Sequence, residues 1–143
     1  MRTIATPDLA VRLRLAITRT SRRLRQEAGT GLSPTLTAAL ATVDHHGPLT
    51  PSELAARERV QRPTATRLVA RLEELGLVQR AGDPLDRRSS LLSVTPAGRA
   101  LLEEMRGRKT AYLAHRIEKL DAEERAALDR AAAILERLLE DDR

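Results

Sequence analysis

Six polar residues in one short segment, Gln61, Arg62, Thr64, Thr66, Arg67 and Arg71, carry side chains able to read or grip a double helix. Arginine can hold guanine through two hydrogen bonds, and glutamine can pair similarly with adenine. Threonine suits a phosphate oxygen or a thymine methyl. Thr64, Arg67 and Arg71 recur at helical spacings of three and four. A second cluster follows in "GDPLDRRSSLLSVTPAG", where Asp86 stands beside Arg87 and Arg88. A guanidinium at the tip of a loop can enter a narrow minor groove, attracted by its enhanced negative potential. Asp86 would be repelled by phosphates, but it makes sense if it pairs with Arg88 and aims Arg87 outward. An exposed ion pair is worth only about 0–1 kcal/mol, so its role would be geometric. The reverse assignment, with Arg88 outward, stays open.

Such residues need rigid elements beneath them, and the sequence punctuates those elements clearly. Asp8 to Ala28 reads as a helix with Leu9, Leu13, Ile17 and Leu24 on one stripe, ended by Gly29 and Gly31. Ser33 can cap a second helix reaching His45, with Pro34 in its first turn. Thr50-Pro51-Ser52-Glu53 has the form of a capping box and opens a short helix to Arg59. The next helix, Pro63 to Leu75, has an apolar side of Leu68, Val69, Leu72 and Leu75 and stops at Gly76. "LVQRA" and "LLSVT" are short strands flanking the turn-rich stretch Gly82 to Ser90. Thr95-Pro96 caps a long helix through Ile117, and Asp121 with Glu124 opens a last one. Leu128, Ala131, Ala132, Leu135, Leu138 and Leu139 form its stripe.

The expected fold is therefore mainly α with a small β-hairpin. Two helices joined by a short turn make a helix-turn-helix, with Pro51 to Arg59 as support and Pro63 to Leu75 as the helix entering the major groove. A hairpin directly after it is a wing, so the middle reads as a winged helix-turn-helix lobe over residues 33–98 of a single 143-residue domain. Helical segments 8–28 and 96–142 flank the lobe. Their apolar stripes exceed what so small a chain can bury, and pairing with a second copy would cover them. Folding back on their own lobe is the alternative.

Composition narrows the functions available. All but two of the 25 Lys and Arg residues are arginine, the formal net charge is +5, and Tyr112 is the lone aromatic. The absence of cysteine excludes thiol catalysis and disulfides. No apolar run is long enough to span a membrane. The first residues lack a signal-peptide pattern, so the cytoplasm is the expected location. No Gly-rich phosphate loop or anchored Ser-His-Asp pattern points to an enzyme. Asp44, His45, His46 and His115 lack metal-ligand spacing, so neither a metal nor another cofactor is expected.

The stretch "LTPSELAARERVQRPTATRLVARLEELGLVQRAGDPLDRRSSLLSVTPAGRALL" resembles the winged-helix core of the MarR (multiple antibiotic resistance regulator) family of bacterial transcription factors. The likeness lies in the supporting helix, in Thr66 to Arg80, and in Asp86 to Gly98, with Val94 in place of the usual leucine. Gln61 departs from the small capping residue of many relatives. The resemblance implies a homodimer on double-stranded DNA, reading a roughly palindromic operator, usually as a repressor released by a small phenolic or anionic ligand. It assigns the wing role to Asp86 and Arg88, and base or phosphate contact to Thr64, Thr66 and Arg67. Arg14, His45, His46 and Tyr112 are the candidate ligand contacts, although the two histidines also suit a helix carboxyl terminus. The rival reading is a winged-helix protein-interaction scaffold that never meets DNA.

Overall fold

The computed structural model describes residues 3–140, which form helices α1 (Thr6–Ala28), α2 (Pro34–His46), α3 (Pro51–Glu58) and α4 (Arg62–Glu74), strands β1 (Val78–Asp83) and β2 (Asp86–Val94), and helices α5 (Pro96–Ile117) and α6 (Ala122–Glu140). Positions 141 and 142 of the expected closing segment lie outside the described residues.

Side-chain caps set most of the helix starts. Ser33 Oγ accepts from the Leu36 amide at 3.2 Å, and Thr50 Oγ1 from the Glu53 amide at 3.1 Å. Asp121 and Glu124 form a reciprocal box, each carboxylate accepting the other's backbone amide, at 2.8 and 3.1 Å. Each of these caps satisfies an amide that helix geometry leaves without a carbonyl partner. Thr95 does more. Its hydroxyl accepts from the Gly98 amide at 3.1 Å and donates to the Gly76 carbonyl at 2.6 Å. One side chain thus ties the start of α5 to the turn that ends α4.

The core lies among α2, α3, α4, the hairpin and the start of α5. Leu40, Leu54, Leu72, Leu92 and Val69 are completely buried, and Leu49, Val43 and Leu102 nearly so. Leucine, valine and alanine side chains make up its central cluster, with no aromatic among them. Gly98 permits its closest approach: a β-carbon there would stand 2.2 Å from the Leu77 carbonyl oxygen and 2.7 Å from a Val94 methyl. The glycine of "TPAG" lets α5 lie directly on the base of the hairpin.

Several boundaries differ from expectation. α1 begins at Thr6, two residues early, with Pro7 in its first turn. α4 begins at Arg62; Gln61 precedes it in extended conformation without capping through its side chain. Leu75, placed on the apolar side of α4, is exposed. The hairpin is longer than "LVQRA" and "LLSVT", because backbone pairing runs on through Gly82 opposite Ser90 and Asp83 opposite Asp86. The turn shrinks to Pro84 and Leu85. "HGPL" contributes a bridge as well as a break: Leu49 exchanges two backbone hydrogen bonds with Leu92, at 2.7 and 3.1 Å, adding a one-residue third strand.

The flanking helices contrast with the lobe. α1 lies along α5, where Arg108 of α5 donates to the Ala28 carbonyl at 2.9 Å and caps the end of α1. α6 contains no buried residue. Its angle to α5 is held at the joint, where Arg125 donates to the carbonyls of Ile117 and Glu118 at 3.3 and 2.9 Å.

Candidate nucleic-acid interface

α4 is amphipathic for a physical reason visible in its burial. Ala65, Val69 and Leu72 are buried at the usual helical spacing, which turns Thr66, Arg67 and Arg71 to solvent. Thr64 is half-buried at the edge between the two faces. The turn into α4 is tight. Arg59 takes a left-handed conformation (φ 55°), and its amide and that of Val60 return to carbonyls of α3. With only Arg59, Val60 and Gln61 between them, α3 and α4 pack as the expected pair.

The arginines divide by partner. Arg71 pairs with Glu74 at 3.1 Å, and Arg80 of β1 pairs with Glu73 of α4 at 2.7 Å, fastening the wing to the helix. None of the ion pairs among the described residues engages Arg62, Arg67, Arg87 or Arg88. These four guanidiniums are exposed and available to an anion. The Arg71–Glu74 pair is exposed and worth at most about 1 kcal/mol, so it can yield to a phosphate.

Between the start of α3, α4 and the wing lies a hollow of about 460 Å³. Arg62 and Thr66 reach it from α4, Arg80 from β1, and Arg88 from β2. Thr50 and Ser52 line it from the other side, at the positive end of α3. Three guanidiniums and several hydroxyls there offer donors to a phosphate diester, which takes donors only, although the Asp86 carboxylate also lines the hollow and Arg80 is shared with Glu73. Thr50, Ser52 and Arg80 are additions to the residues singled out from sequence. The first two read there only as cap and first-turn residues, and Arg80 only as part of a strand.

The wing corrects the expected role of Asp86. No Asp86–Arg88 ion pair forms; the Asp86 carboxylate instead accepts from the Arg88 backbone amide at 2.9 Å. Asp83 does the same for the Leu85 amide, also at 2.9 Å. Nor do Arg87 and Arg88 occupy the tip. With Ser89 they form a stretch of β2 that has no register partner on β1, because Gly82 pairs with Ser90 and Asp83 with Asp86. The physical cause is the short turn: closing β1 onto β2 at Pro84-Leu85 pushes the surplus residues of β2 into a bulge.

The four ligand candidates do not come together. A separate cavity of about 650 Å³ lies among α1, α2 and α5, with Arg22, Arg25 and Lys109 at its wall beside Leu32, Ala41 and Met105. Arg14, His45, His46 and Tyr112 do not line it. Arg14 is exposed on α1. His45 and His46 stack edge to face at the end of α2, their ring centroids 4.6 Å apart. His46 Nε2 lies 3.3 Å from Arg57. Partial desolvation, then the charge of Arg57 and the neighbouring His45, hold its pKa below 6.5. Tyr112 sits with Arg23 and Arg116 each 5.4 Å from its ring centre. A hydrogen bond from Arg116, aided by Arg23 and opposed by desolvation, keeps the phenol below its ordinary pKa.

Comparison with known proteins places this geometry. The MarR family model matches residues 32–90, the span of the lobe from the start of α2 into β2. The HTH-type transcriptional regulator MT0903.1 of Mycobacterium tuberculosis is 38% identical over 134 residues, covering 93% of this chain and 94% of that protein. The chain belongs to the MarR family. A Pseudomonas aeruginosa protein of known structure superposes with a TM-score of 0.84 at 34% identity, covering 96% of this chain and 99% of that one. The HTH-type transcriptional repressor MdtR of Bacillus subtilis is 34% identical over 94 residues, 66% of this chain and 61% of that protein. As a MarR-family member the chain is a DNA-binding transcriptional regulator built on a winged helix-turn-helix, and not an enzyme. That membership sets aside the scaffold reading. No helix of the described residues is long and apolar enough to cross a membrane.

Proposed function

We propose that two copies of this chain pair through α1, α5 and α6, and that the dimer represses a nearby operon from a roughly palindromic operator until a small anionic or phenolic molecule releases it. In this reading residues 33–98 are the DNA-binding lobe of the single domain, and the segments 8–28 and 96–142 build the dimer. Each lobe sets α4 in a major groove, and the two half-sites lie about one helical turn apart.

The observation that carries the proposal is a set of exposed guanidiniums outside any ion pair among the described residues: Arg62 and Arg88 line the hollow between α4 and the wing, and Arg67 lies on the exposed face of α4. Arg67 and Thr66 project from the exposed face toward base edges; Gln61 precedes the helix, and Arg62 and Arg88 grip the backbone with Arg80. Dimerisation is supported by the apolar residues left in water on the flanking helices: Leu9, Val11, Leu15 and Ile17 on α1, and Leu128, Ile134, Leu138 and Leu139 on α6. Repression agrees with the name of the related MdtR. The cavity among α1, α2 and α5 supports an anionic effector, since cationic and apolar residues share its wall.

Titrating the protein against duplex fragments from its own promoter region at several salt concentrations tests this reading. The logarithm of affinity should fall steeply and linearly with the logarithm of salt, by about 0.9 for every phosphate neutralised. Arg67→Ala should cost about 1–3 kcal/mol on the preferred site and less on others, relaxing base preference. Salt-independent binding, or none to any such fragment, defeats the proposal.

A further inference from the structure

The apex of the wing is a leucine. Leu85 is 96% exposed, the most exposed of the large apolar side chains described, and Pro84 is its only companion in the turn. An apolar side chain held this far into water does nothing for the fold, because it packs on nothing.

Three features of the hairpin bear on its use. The apex is rigid, since Asp83 and Asp86 each accept a backbone amide two residues on, at Leu85 and Arg88, and so fix the turn from both sides. It is also electrically neutral: over Asp83 to Arg88 two carboxylates offset two guanidiniums. Lastly, the arginines stand back from the apex, Arg88 lining the hollow beside Arg62 and Thr66. A neutral tip gains little from the negative potential of a narrow minor groove, which is what draws an arginine in. What it can offer is an apolar wedge.

Reach and aim agree. The six residues of β1 extend roughly 20 Å at about 3.3 Å per residue, and the Arg80–Glu73 pair fixes the hairpin to α4. With α4 in a major groove, the hairpin crosses one phosphate backbone to the adjacent minor groove. That groove is about 6 Å wide, enough for a two-residue turn.

We propose that Leu85, presented by Pro84 on the rigid apex, enters the minor groove as an apolar wedge against deoxyribose and base edges, while Arg87 and Arg88 hold the flanking phosphates. This rests on the reading of α4 as the major-groove helix. The wedge parts a base step and favours flanks that deform easily, such as pyrimidine–purine steps. Part of the sequence preference therefore lies outside the bases that α4 touches.

The test compares Leu85→Ala, Arg87→Ala and Arg67→Ala with the full-length wild-type chain. Each is bound to an operator fragment with 2-aminopurine at the flanking minor-groove step. Because Leu85 contacts nothing, its alanine variant folds as the wild type does, which circular dichroism verifies. Leu85→Ala should weaken binding about three- to tenfold, the scale of losing a few buried methyl groups. It should leave the salt slope unchanged and abolish the rise in 2-aminopurine fluorescence that accompanies unstacking. Arg87→Ala should lower the salt slope by about one contact and keep the fluorescence rise. Wild-type affinity and fluorescence for Leu85→Ala, beside impaired Arg67→Ala, overturn the wedge alone. A shallower salt slope in Leu85→Ala overturns it too, by showing that the apex acts through the arginines. An unimpaired Arg67→Ala instead removes the major-groove reading beneath it.

Discussion

The lobe and the flanking helices are made of the same few residue types yet use them in opposite ways. From α2 to β2 the leucines turn inward apart from Leu75 and Leu85, and Leu40, Leu54, Leu72 and Leu92 are lost to solvent altogether. On α6 they turn outward, and the helix keeps its form through its capping box and the Arg125 joint rather than through any packing. In folded proteins most helical stability comes from packing an amphipathic face rather than from propensity, so α6 gains from an apolar face that finds a surface. The lobe contains its own surface and α6 does not. A well-packed unit is thus joined to a helix whose apolar face is left in water.

The strongest way to break this contrast is to spoil the lobe from within. Gly98→Val would drive a β-carbon into the Leu77 carbonyl and the Val94 methyl where α5 crosses the hairpin. A cost of at least about 4 kcal/mol is expected, enough to unfold a marginal domain. Urea denaturation followed by circular dichroism should show little or no native baseline. A variant melting within a few degrees of wild type would mean that the lobe yields more readily than its burial implies.

Next in size is an attack on the other region. Leu135→Asp with Leu138→Asp should convert the proposed dimer to a monomer in sedimentation experiments while the lobe keeps its helical signal. Operator affinity should drop by about a hundredfold or more as two linked contacts become one. A doubly substituted chain that still sediments as a dimer would show that α6 is not the surface that pairs.

The smallest expected effect is a pH dependence confined to the lobe. His46 has a folded pKa below 6.5, so the unfolded chain binds its proton more tightly than the folded one. Its contribution to stability is therefore complete above 6.5 and is lost as pH falls below 6.5 through the depressed folded value. Urea midpoints should decline slightly across that window in the wild type, and His46→Gln should lessen the decline. An unaltered slope would place the cause elsewhere.

The legible parts of the molecule were those written in neighbouring residues. Ser33, Thr50, Thr95 and the Asp121–Glu124 box each lie within three positions of the amides they bind, and the structure shows every one of those caps. Helix periodicity likewise brought Arg67 and Arg71 to the outer face of α4. Contacts between distant segments left no such trace. The Leu49–Leu92 bridge is a single residue wide and has no alternation to reveal it. The bulge at Arg87 and Arg88 follows from register, which residue type alone does not set. Asp86 misled because its basic neighbours advertised an ion pair, whereas the nearer backbone amide took its carboxylate. The cavity among α1, α2 and α5 is lined by residues from three separate stretches, none of them chemically conspicuous. Arg14, His45, His46 and Tyr112, chosen by residue type, are not among its lining residues.

One feature of the hairpin's base extends beyond stability. Only Thr95 separates β2 from α5, and its hydroxyl is bonded at both ends, to Gly76 and to Gly98. There is no slack at that junction. Wing and α5 consequently behave as a single stiff arm, and a tilt of α5 sweeps the apex of the hairpin through an arc amplified by the arm's length. In the proposed dimer the angle at which two such arms meet would act as a ruler for the DNA, so a change of one residue at this junction would alter which operator spacing that dimer measures.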